Sequence, residues 1–510
     1  MRGMSRLSAL VKHWHQFFVP IAVASIIVCL AGNAAADTLR IGSKRFTESY
    51  VLGELLAQTA APHTRTEHLQ GLGNTAIVFA ALKAGSIDIY PEYLGTIDLE
   101  ILKHRVPASL AQINRELAQL GLGATVRLGF NNTYALAMRA GDSTQRSITR
   151  LSELARHQDL RFGLSHEFIG RSDGWPGLAR RYGLAQTPRG LDHGIAYEAL
   201  AAGQVDIIDI YSTDAKIAKL GLRVLRDDLD YFPRYDALLL YRLDIAQRFP
   251  RAWEALQHLE GRITETDMIA MNAAVELNGQ SFAAAARGFL TQGRDAGEQR
   301  AGLFGKLFGD DLWRLTRQHL ALVLISIAVA ALAGIPLGIV AAFKPGLRQP
   351  VMAMAGVLQT IPSLALLAML IPLLGMIGAV PALVALCLYA LLPIVRNTCT
   401  GIGQVPAGLR QAALALGLSR RDRLLHIDIP LALPVILAGL KTAAVMNVGT
   451  ATIAAFIGAG GYGERISIGL ALNDNDMLLA GAIPAAALAL VTQALFEAVE
   501  YLLRRKRSKA

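Results

Sequence analysis

Two hydrophobicity patterns divide the chain. From residue 37 to about residue 300, short apolar runs alternate with stretches that mix charged and apolar positions at helical spacing. From residue 318 to residue 503, Leu, Ala, Ile, Val and Gly predominate in long stretches with few charges. The first pattern is typical of a soluble α/β domain, and the second is typical of membrane-spanning helices.

The first region predicts an α/β domain with a parallel sheet. Helical segments at Glu48–Thr59 and Ala76–Ala84 lie between the apolar runs. The region is long enough for two lobes with a cleft between them, which we place at 37–139 plus 236–300 and at 140–235. The runs expected to form strands are Thr38–Gly42, Ile87–Tyr90, Arg161–Leu164, Val205–Ile210 and Ala237–Tyr241.

Residues 1–36 have the three parts of a secretory signal peptide. Three basic residues begin the segment, Pro20–Leu30 is apolar, and Ala34-Ala35-Ala36 forms a small-residue cleavage site. The alternative is an uncleaved anchor helix. Both interpretations predict that the region which follows is exported.

Five apolar stretches in the second region are long enough to cross about 30 Å of hydrocarbon. An odd number of spans places the exported domain and the C-terminus on opposite sides of the membrane. The cations agree, because they collect in the loops expected inside and in the basic tail. After a linker at 301–317, the expected spans of the domain 318–510 are His319–Phe343, Val351–Leu374, Ile377–Val395, Leu433–Ile457 and Leu478–Leu503.

Composition excludes some function classes. Hydrophobic residues make up 53% of the chain, and the net charge is +10. A positive charge could indicate a nucleic-acid partner, but here the cations lie beside apolar segments, which is typical of an inner-membrane protein. The three cysteines lie in or beside apolar segments. No spacing of metal ligands and no cofactor motif is present.

The longest loop expected inside carries Gln411-Ala412-Ala413, then Gly417, then Ile427-Asp428-Ile429-Pro430. This spacing resembles the signature loop of ABC importer permeases, which forms two short helices that dock on an ATPase subunit. The resemblance implies that Gln411, Ala412, Ala413, Gly417, Ile427 and Pro430 couple the chain to a cytoplasmic ATPase. An ordinary amphipathic surface helix is the alternative. The sequence has no phosphate-binding loop, so we expect a separate subunit to hydrolyse ATP.

Six compact segments of the first region begin at Gly42, Tyr90, Asn131, Glu167, Tyr211 and Phe232. Read in order, these segments are similar to the receptors of osmoprotectant importers, which take glycine betaine, carnitine or choline. The permease region resembles the same systems at 359–364 and 391–398. The resemblance implies a two-lobed fold of the type II periplasmic-binding-protein class, followed by an all-α permease.

The same resemblance implies the ligand contacts. Four tyrosines would enclose a quaternary ammonium group through cation–π attraction, since this group cannot donate hydrogen bonds. Two cations and a hydroxyl would hold a carboxylate, which favours a zwitterion over choline. The alternatives are that the tyrosines only pack, that Arg171 pairs with Asp173, and that Lys44 is solvated. The implied ligand residues are Tyr93, Tyr134, Tyr211 and Tyr235, with Lys44, Thr96 and Arg171.

We therefore expect ATP-dependent import of a betaine-type solute by a chain that supplies both solute binding and the translocation pathway. The resemblance also implies a homodimer, because the ATPases work in pairs. A ligand-gated channel or sensor is the first alternative, although it would lack an ATPase-docking loop. A membrane-anchored enzyme is the second, but the exported region shows no group of nucleophile, base and orienting residue.

Overall fold

The computed structural model describes residues 37–104, 107–292, 302–472 and 474–507. The expected signal peptide lies outside the described residues, and so does the first residue of the expected linker. An α/β domain followed by a helical membrane domain is confirmed. The strands are β1 (Thr38–Gly42), β2 (Arg65–Leu69), β3 (Ile89–Tyr93), β4 (Leu122–Thr125), β5 (Tyr134–Arg139), β6 (Phe162–Ser165), β7 (Arg189–Leu191), β8 (Ile207–Tyr211), β9 (Leu222–Val224) and β10 (Ala237–Arg242).

The N-terminal domain has two lobes, each built on a five-stranded sheet. The strand order is β2-β1-β3-β10-β4 in lobe 1 and β7-β6-β8-β5-β9 in lobe 2. The expectation of a parallel sheet is wrong in part: β1 is parallel to β2 and β3, but β10 is antiparallel to β3 and β4. In lobe 2, β5 is likewise antiparallel to β8 and β9. The two antiparallel strands are the ones by which the chain enters each sheet from the other lobe.

The crossing points between the lobes differ from the expected ones. The expected boundary at residue 140 assigned Tyr134–Arg139 to lobe 1, whereas this segment is strand β5 of lobe 2. The chain crosses instead near Asn131, which forms an isolated β-bridge with Asp236 on the returning segment. The two connections therefore run side by side, as a hinge between lobes requires.

Helices cover the sheets, and several begin at side-chain caps. Asn74, Ser165 and Thr264 each accept a hydrogen bond from a backbone N–H of the first turn. The helices are α1 (Thr47–Ala60), α2 (Thr75–Lys83), α3 (Leu94–Thr96), α4 (Leu110–Gln119), α5 (Ala140–Arg146), α6 (His166–Gly170), α7 (Trp175–Tyr182), α8 (His193–Ala201), α9 (Lys216–Lys219), α10 (Ile245–Arg248), α11 (Pro250–Gln257), α12 (Glu265–Glu276) and α13 (Phe282–Leu290).

The second domain is a helical bundle. Four helices of the described residues are long and apolar enough to cross a membrane, or five if one bent pair forms a single span. The first begins at Leu312, inside the expected linker. The helices are α14 (Leu303–Leu307), α15 (Leu312–Phe343), α16 (Pro345–Thr360), α17 (Ser363–Leu374), α18 (Ala379–Gly403), α19 (Ala407–Ala415), α20 (Arg420–Arg423), α21 (Ile429–Thr450), α22 (Gly463–Leu472) and α23 (Asn475–Arg507).

The expected second span is the bent pair, because α16 and α17 meet at an angle of 97°. Pro362 is the N-cap residue of α17, and Ile361 before it takes an extended conformation, as residues that precede proline do. The bend frees the carbonyl of Ile361, which accepts a hydrogen bond from the hydroxyl of Tyr389 on α18. The polar group is thereby satisfied inside an apolar bundle.

Candidate functional site

The candidate site lies where the edges of the two sheets face each other across the cleft. Lys44 follows the end of β1, Tyr93 ends β3, and Tyr211 ends β8. The antiparallel strands begin at the same edges, so that Tyr134 opens β5 and lies directly opposite Tyr211 in the ladder. Side chains at the carboxyl ends of parallel strands commonly form ligand sites in such folds.

The four expected tyrosines lie in one aromatic cluster. The Tyr134 ring is 5.1 Å from the Tyr211 ring and 5.8 Å from the Tyr235 ring, centroid to centroid. Phe46 joins Tyr93 to the others, with its ring 6.4 Å from Tyr93 and 5.3 Å from Tyr211. Tyr93, Tyr134 and Tyr235 are buried. Faces of several rings therefore converge on one point between the lobes.

The two expected cations are buried, and each has a carboxylate partner. The Nζ of Lys44 is 2.6 Å from Oε1 of Glu92 and lies over the Tyr93 ring at 5.1 Å. Lys44 is thus not solvated, which corrects that alternative. Arg171 forms a two-pronged pair with Asp173, with bonds of 2.8 and 2.6 Å, as the other alternative expected.

Arg171 also links the two lobes. Its Nη2 donates to the hydroxyl of Thr96 at 3.2 Å, and its guanidinium lies 5.2 Å from the centre of the Tyr134 ring. The hydroxyl of Tyr235 donates to Asp173 at 2.6 Å. Lys44 and Arg171 therefore lie against the rings of Tyr93 and Tyr134, two of the tyrosines that were expected to enclose the ammonium group of a solute.

All seven expected ligand residues line a single cavity between the lobes, which we call the interlobe cavity. Its free volume is about 10 Å³, which is room for one water molecule. A betaine fits only after rings or lobes move apart, as a two-lobed domain permits. The lining is Lys44, Phe46, Tyr93, Thr96, Asn132, Tyr134, Glu167, Arg171, Tyr211 and Tyr235.

Glu48 lies beneath the interlobe cavity and was not expected as a site residue. It accepts hydrogen bonds from the Tyr93 hydroxyl, the Asn132 amide, the Thr213 hydroxyl and the Asn272 amide. Burial raises its pKa above the ordinary value, although these donors oppose the rise. Because Thr213 belongs to lobe 2 and Glu48 to lobe 1, the carboxyl group fastens the lobes together.

The expected coupling loop forms two short helices, α19 and α20, on either side of Gly417, whose φ of +71° favours glycine. Gln411, Ala412 and Ala413 lie on α19, Ile427 lies in the π-helical turn before α21, and Pro430 lies at the start of α21. Their role in coupling stays a prediction.

The coupling loop is fixed by a buried carboxylate. Asp428 is fully buried and pairs with Nε of Arg410 at 3.1 Å and with Nε of Arg423 at 3.2 Å. Both guanidinium groups also lie over the ring of Phe343, at 5.8 and 5.3 Å. One carboxylate therefore holds both short helices against the end of α15.

Comparison with known families follows the same division of the chain. Residues 37–292 match the substrate binding domain of ABC-type glycine betaine transport systems, which is half of the chain. The chain belongs to this family. Residues 334–509 match the inner membrane component of binding-protein-dependent transport systems. The N-terminal domain is accordingly a receptor domain, and the helical domain is a permease domain fused to it.

Individual relatives match one part or the other. The ergothioneine transport permease/ergothioneine binding protein of Helicobacter pylori is 31% identical over 284 residues, which is 54% of this chain and only 51% of that protein. The glycine-betaine-binding protein of Pseudomonas aeruginosa is 34% identical over 54% of this chain and 94% of its own length. The osmoprotectant import permease protein of Salmonella typhimurium is 44% identical over 38% of this chain and 91% of its own length.

Five residues of the site were not expected as site residues, although all of them lie in the segments that carry the family resemblance. Asn132 and Glu167 line the interlobe cavity, as Phe46 does, and Glu48 and Glu92 bind its side chains. Phe46 and Glu48 lie in the segment that begins at Gly42, and Glu92 lies between the two tyrosines of Tyr-Pro-Glu-Tyr. The available signal was the presence of acids beside the expected cations. Within the described residues no group of three His, Cys, Asp or Glu could hold a metal ion.

Proposed function

We propose that this chain is the capture and passage subunit of an ABC importer for a quaternary-ammonium solute, glycine betaine or a related betaine or carnitine. The observation that carries the proposal is the interlobe cavity, in which all seven residues implied by the family resemblance meet. Aromatic faces bind a trimethylammonium head, with each desolvated ring contributing about 0.5–2 kcal/mol.

The paired cations still have hydrogen bonds to give to a solute carboxylate. An ammonium group has three donors, and Glu92 accepts one from Lys44. Asp173 occupies Nε and Nη2 of Arg171, whereas Nη1 lies 3.5 Å from Glu167. A carboxylate in the cavity would therefore bind beside Glu92 and Asp173 rather than replace them.

The geometry also bears on the orientation of the chain in the membrane, because contacts with the receptor domain and with the coupling loop lie at opposite ends of the bundle. Gln318, on the first turns of α15, accepts a hydrogen bond from Gly461 at the receptor-facing end of the bundle, whereas Phe343 at the other end contacts the coupling loop. A helix of 32 residues spans about 48 Å, more than the hydrocarbon thickness. We infer that the receptor domain lies outside, that the coupling loop and the C-terminus lie in the cytoplasm, and that a separate ATPase docks on the loop around Gln411–Pro430.

A second copy of the chain completes the proposed transporter, because one permease domain provides half of a pathway. Crosslinking of the purified chain in lipid nanodiscs should give a dimer. A chain that stays monomeric when its ATPase is present would contradict the homodimer.

Calorimetric titration of the purified chain tests the solute class. The panel is glycine betaine, carnitine, ergothioneine and choline. We expect saturable binding of at least one carboxylated betaine, with choline weaker. Choline binding more tightly than every carboxylated member would refute the roles of Lys44 and Arg171. No binding by any member would refute the proposed function.

A further inference from the structure

A second and larger cavity lies between the receptor domain and the permease domain, and we call it the interdomain cavity. Its volume is about 440 Å³. On the permease side its wall is apolar and includes Leu367 and Ile371 of α17 and the ring of Phe456. On the receptor side the wall carries acids, among them Asp214 and Glu276. A solute that leaves the receptor domain toward the permease enters this space.

Only one layer of side chains separates the two cavities. Phe46, Glu167 and Tyr211 line both the interlobe cavity and the interdomain cavity. While the lobes stay closed, a solute in the interlobe cavity passes this layer only when one of these three side chains moves.

Two of the three separating residues are held by several contacts. Glu167 accepts a hydrogen bond from Thr75 at 3.1 Å and lies 3.5 Å from Arg171. Tyr211 is fixed in the ladder opposite Tyr134, and its ring packs 4.5 Å from that of His193. Movement of either side chain disrupts polar or stacked contacts on both of its sides.

Phe46 is the residue of this layer that moves at least cost. Its side chain has no polar atom, it is only half-buried, and it lies on the loop before α1. Its ring touches Tyr93 and Tyr211 at centroid distances of 6.4 and 5.3 Å. A change of rotamer at this position gives up these ring contacts and the contact with the Lys44 ammonium, which lies 5.6 Å from the ring centre, but it breaks no hydrogen bond.

The segment that carries Phe46 also contacts the permease. The guanidinium of Arg45 lies 4.6 Å from the centre of the Phe456 ring. Next to this contact, Gly458 has a φ of +75°, and a Cβ there would lie 2.4 Å from the side chain of Leu72. The contact of Arg45 with the permease domain therefore lies one residue away from Phe46.

We propose that Phe46 is a gate, which closes the interlobe cavity toward the interdomain cavity and swings aside to let the solute pass. The proposal rests on the proposed function, because it assigns the interlobe cavity to the solute. It extends that function by naming the side chain that controls exit toward the permease.

The test measures access to the interlobe cavity with a reagent that carries a trimethylammonium group. Thr96→Cys places a thiol in the cavity, in a full-length chain whose Cys29, Cys387 and Cys399 are replaced by serine. Trimethylammonium-ethyl methanethiosulfonate then modifies this thiol in lipid nanodiscs. Phe46→Ala should accelerate modification by about tenfold or more, which corresponds to a barrier lower by about 1.4 kcal/mol, and Phe46→Trp should slow it.

Phe232→Ala is the matched control. Its ring lies 6.4 Å from the Tyr134 ring, but it borders neither cavity. In the Phe232→Ala variant we expect the thiol at position 96 to be modified at a rate within about threefold of that in the Thr96→Cys chain with Phe46 and Phe232 unchanged. This is a change of less than about 0.7 kcal/mol in the barrier. Equal rates for Ala, Phe and Trp at position 46, or equal acceleration by Phe232→Ala, would overturn the gate.

The reagent reacts whichever solute the protein carries, so the two proposals fail separately. If calorimetry detects no binding of any betaine, but the modification rate depends on the size of residue 46, the solute assignment is refuted and the gate is supported. If a betaine binds and modification ignores residue 46, the gate falls and the solute assignment stands.

Discussion

Replacement of Glu48 by glutamine tests how the two lobes are held together. Each carboxylate oxygen accepts two hydrogen bonds: Oε1 from Tyr93 and Asn132, and Oε2 from Thr213 and Asn272. The NH₂ group of glutamine cannot accept a hydrogen bond. In either orientation of the new amide, one hydroxyl donor and one amide donor therefore lose their acceptor. The hydroxyl is able to turn and accept instead. The asparagine accepts only if its amide flips, which for Asn272 breaks the hydrogen bond from its NH₂ group to the backbone oxygen of Thr213.

The magnitude follows from the number of groups left without partners. A buried polar group without a hydrogen bond costs about 1–3 kcal/mol. With one amide displaced or forced to flip and one hydroxyl forced to reverse, we expect Glu48→Gln to lower the free energy of unfolding by about 1–3 kcal/mol. Where the new NH₂ group faces Thr213, the hydrogen bond that Thr213 of lobe 2 donates to Glu48 is lost, and the affinity for the solute should fall as well.

The assay is urea unfolding of residues 37–292, followed by the fluorescence of the buried Trp175 and Trp253. Glu54→Gln is the control, since this acid lies on the same helix but accepts hydrogen bonds from His68 and Gln70 within lobe 1. It should affect stability without changing solute affinity. An unfolding free energy of Glu48→Gln equal to that of the wild type would refute the reasoning.

Three further predictions concern the aromatic cluster, the coupling loop and pH. Tyr211→Leu should weaken glycine betaine binding about 2- to 30-fold in calorimetry, and affinity equal to that of the wild type would contradict a role for the ring. Asp428→Ala leaves two arginines without their buried acid, so solute-stimulated ATP hydrolysis by the assembled transporter should fall while solute binding persists; undiminished hydrolysis would contradict this. Burial opposes a charge on His193, but Asp214 raises its pKa from 6.5 to about 9. The resulting stabilisation is complete below pH 6.5 and is lost as the pH rises through 9, so His193→Asn should abolish that part of the pH dependence of unfolding; parallel curves for both proteins would contradict it.

The sequence pattern predicted a strand correctly where the residues of the strand alone determine it, and less well where pairing with a distant strand determines it. Thr38–Gly42 was expected as a strand and is β1. The next strand was expected to end at Tyr90, before Pro91, but β3 continues through the proline to Tyr93. Proline is usually excluded from inner strands, and tertiary pairing with β10 overrides that preference here.

The bend of the expected second span could be predicted from the sequence. The position at which the chain crosses between the lobes could not. Pro362 and the residue before it indicate a helix break. The side to which Tyr134–Arg139 belongs depends on pairing with Ile207–Tyr211, far along the chain. No local pattern encodes that partner, so the boundary near residue 140 was misplaced.

For the candidate site, the resemblance predicted which residues meet, but the acid that pairs with Lys44 was not predicted. Lys44 was expected to be available for a solute carboxylate, yet Glu92 lies 2.6 Å from it. The pairing of Arg171 with Asp173, which was one of the alternatives, is present. Acids one or two positions from expected ligands are visible in the sequence, but whether they turn toward the cation depends on the packing of both lobes.

The pairing changes how selectivity among solutes must be understood. Each buried cation with its acid is a neutral unit, so the cavity has no excess positive charge with which to attract a carboxylate. Glu167, which lines both cavities, adds negative charge that favours the ammonium end of any solute. Under the proposed function, discrimination between a betaine and choline depends on the free donors of Lys44 and Arg171, which a hydroxyl satisfies less well than a carboxylate. The rings and Glu167 would then select for the ammonium group, and these donors would select for the carboxylate.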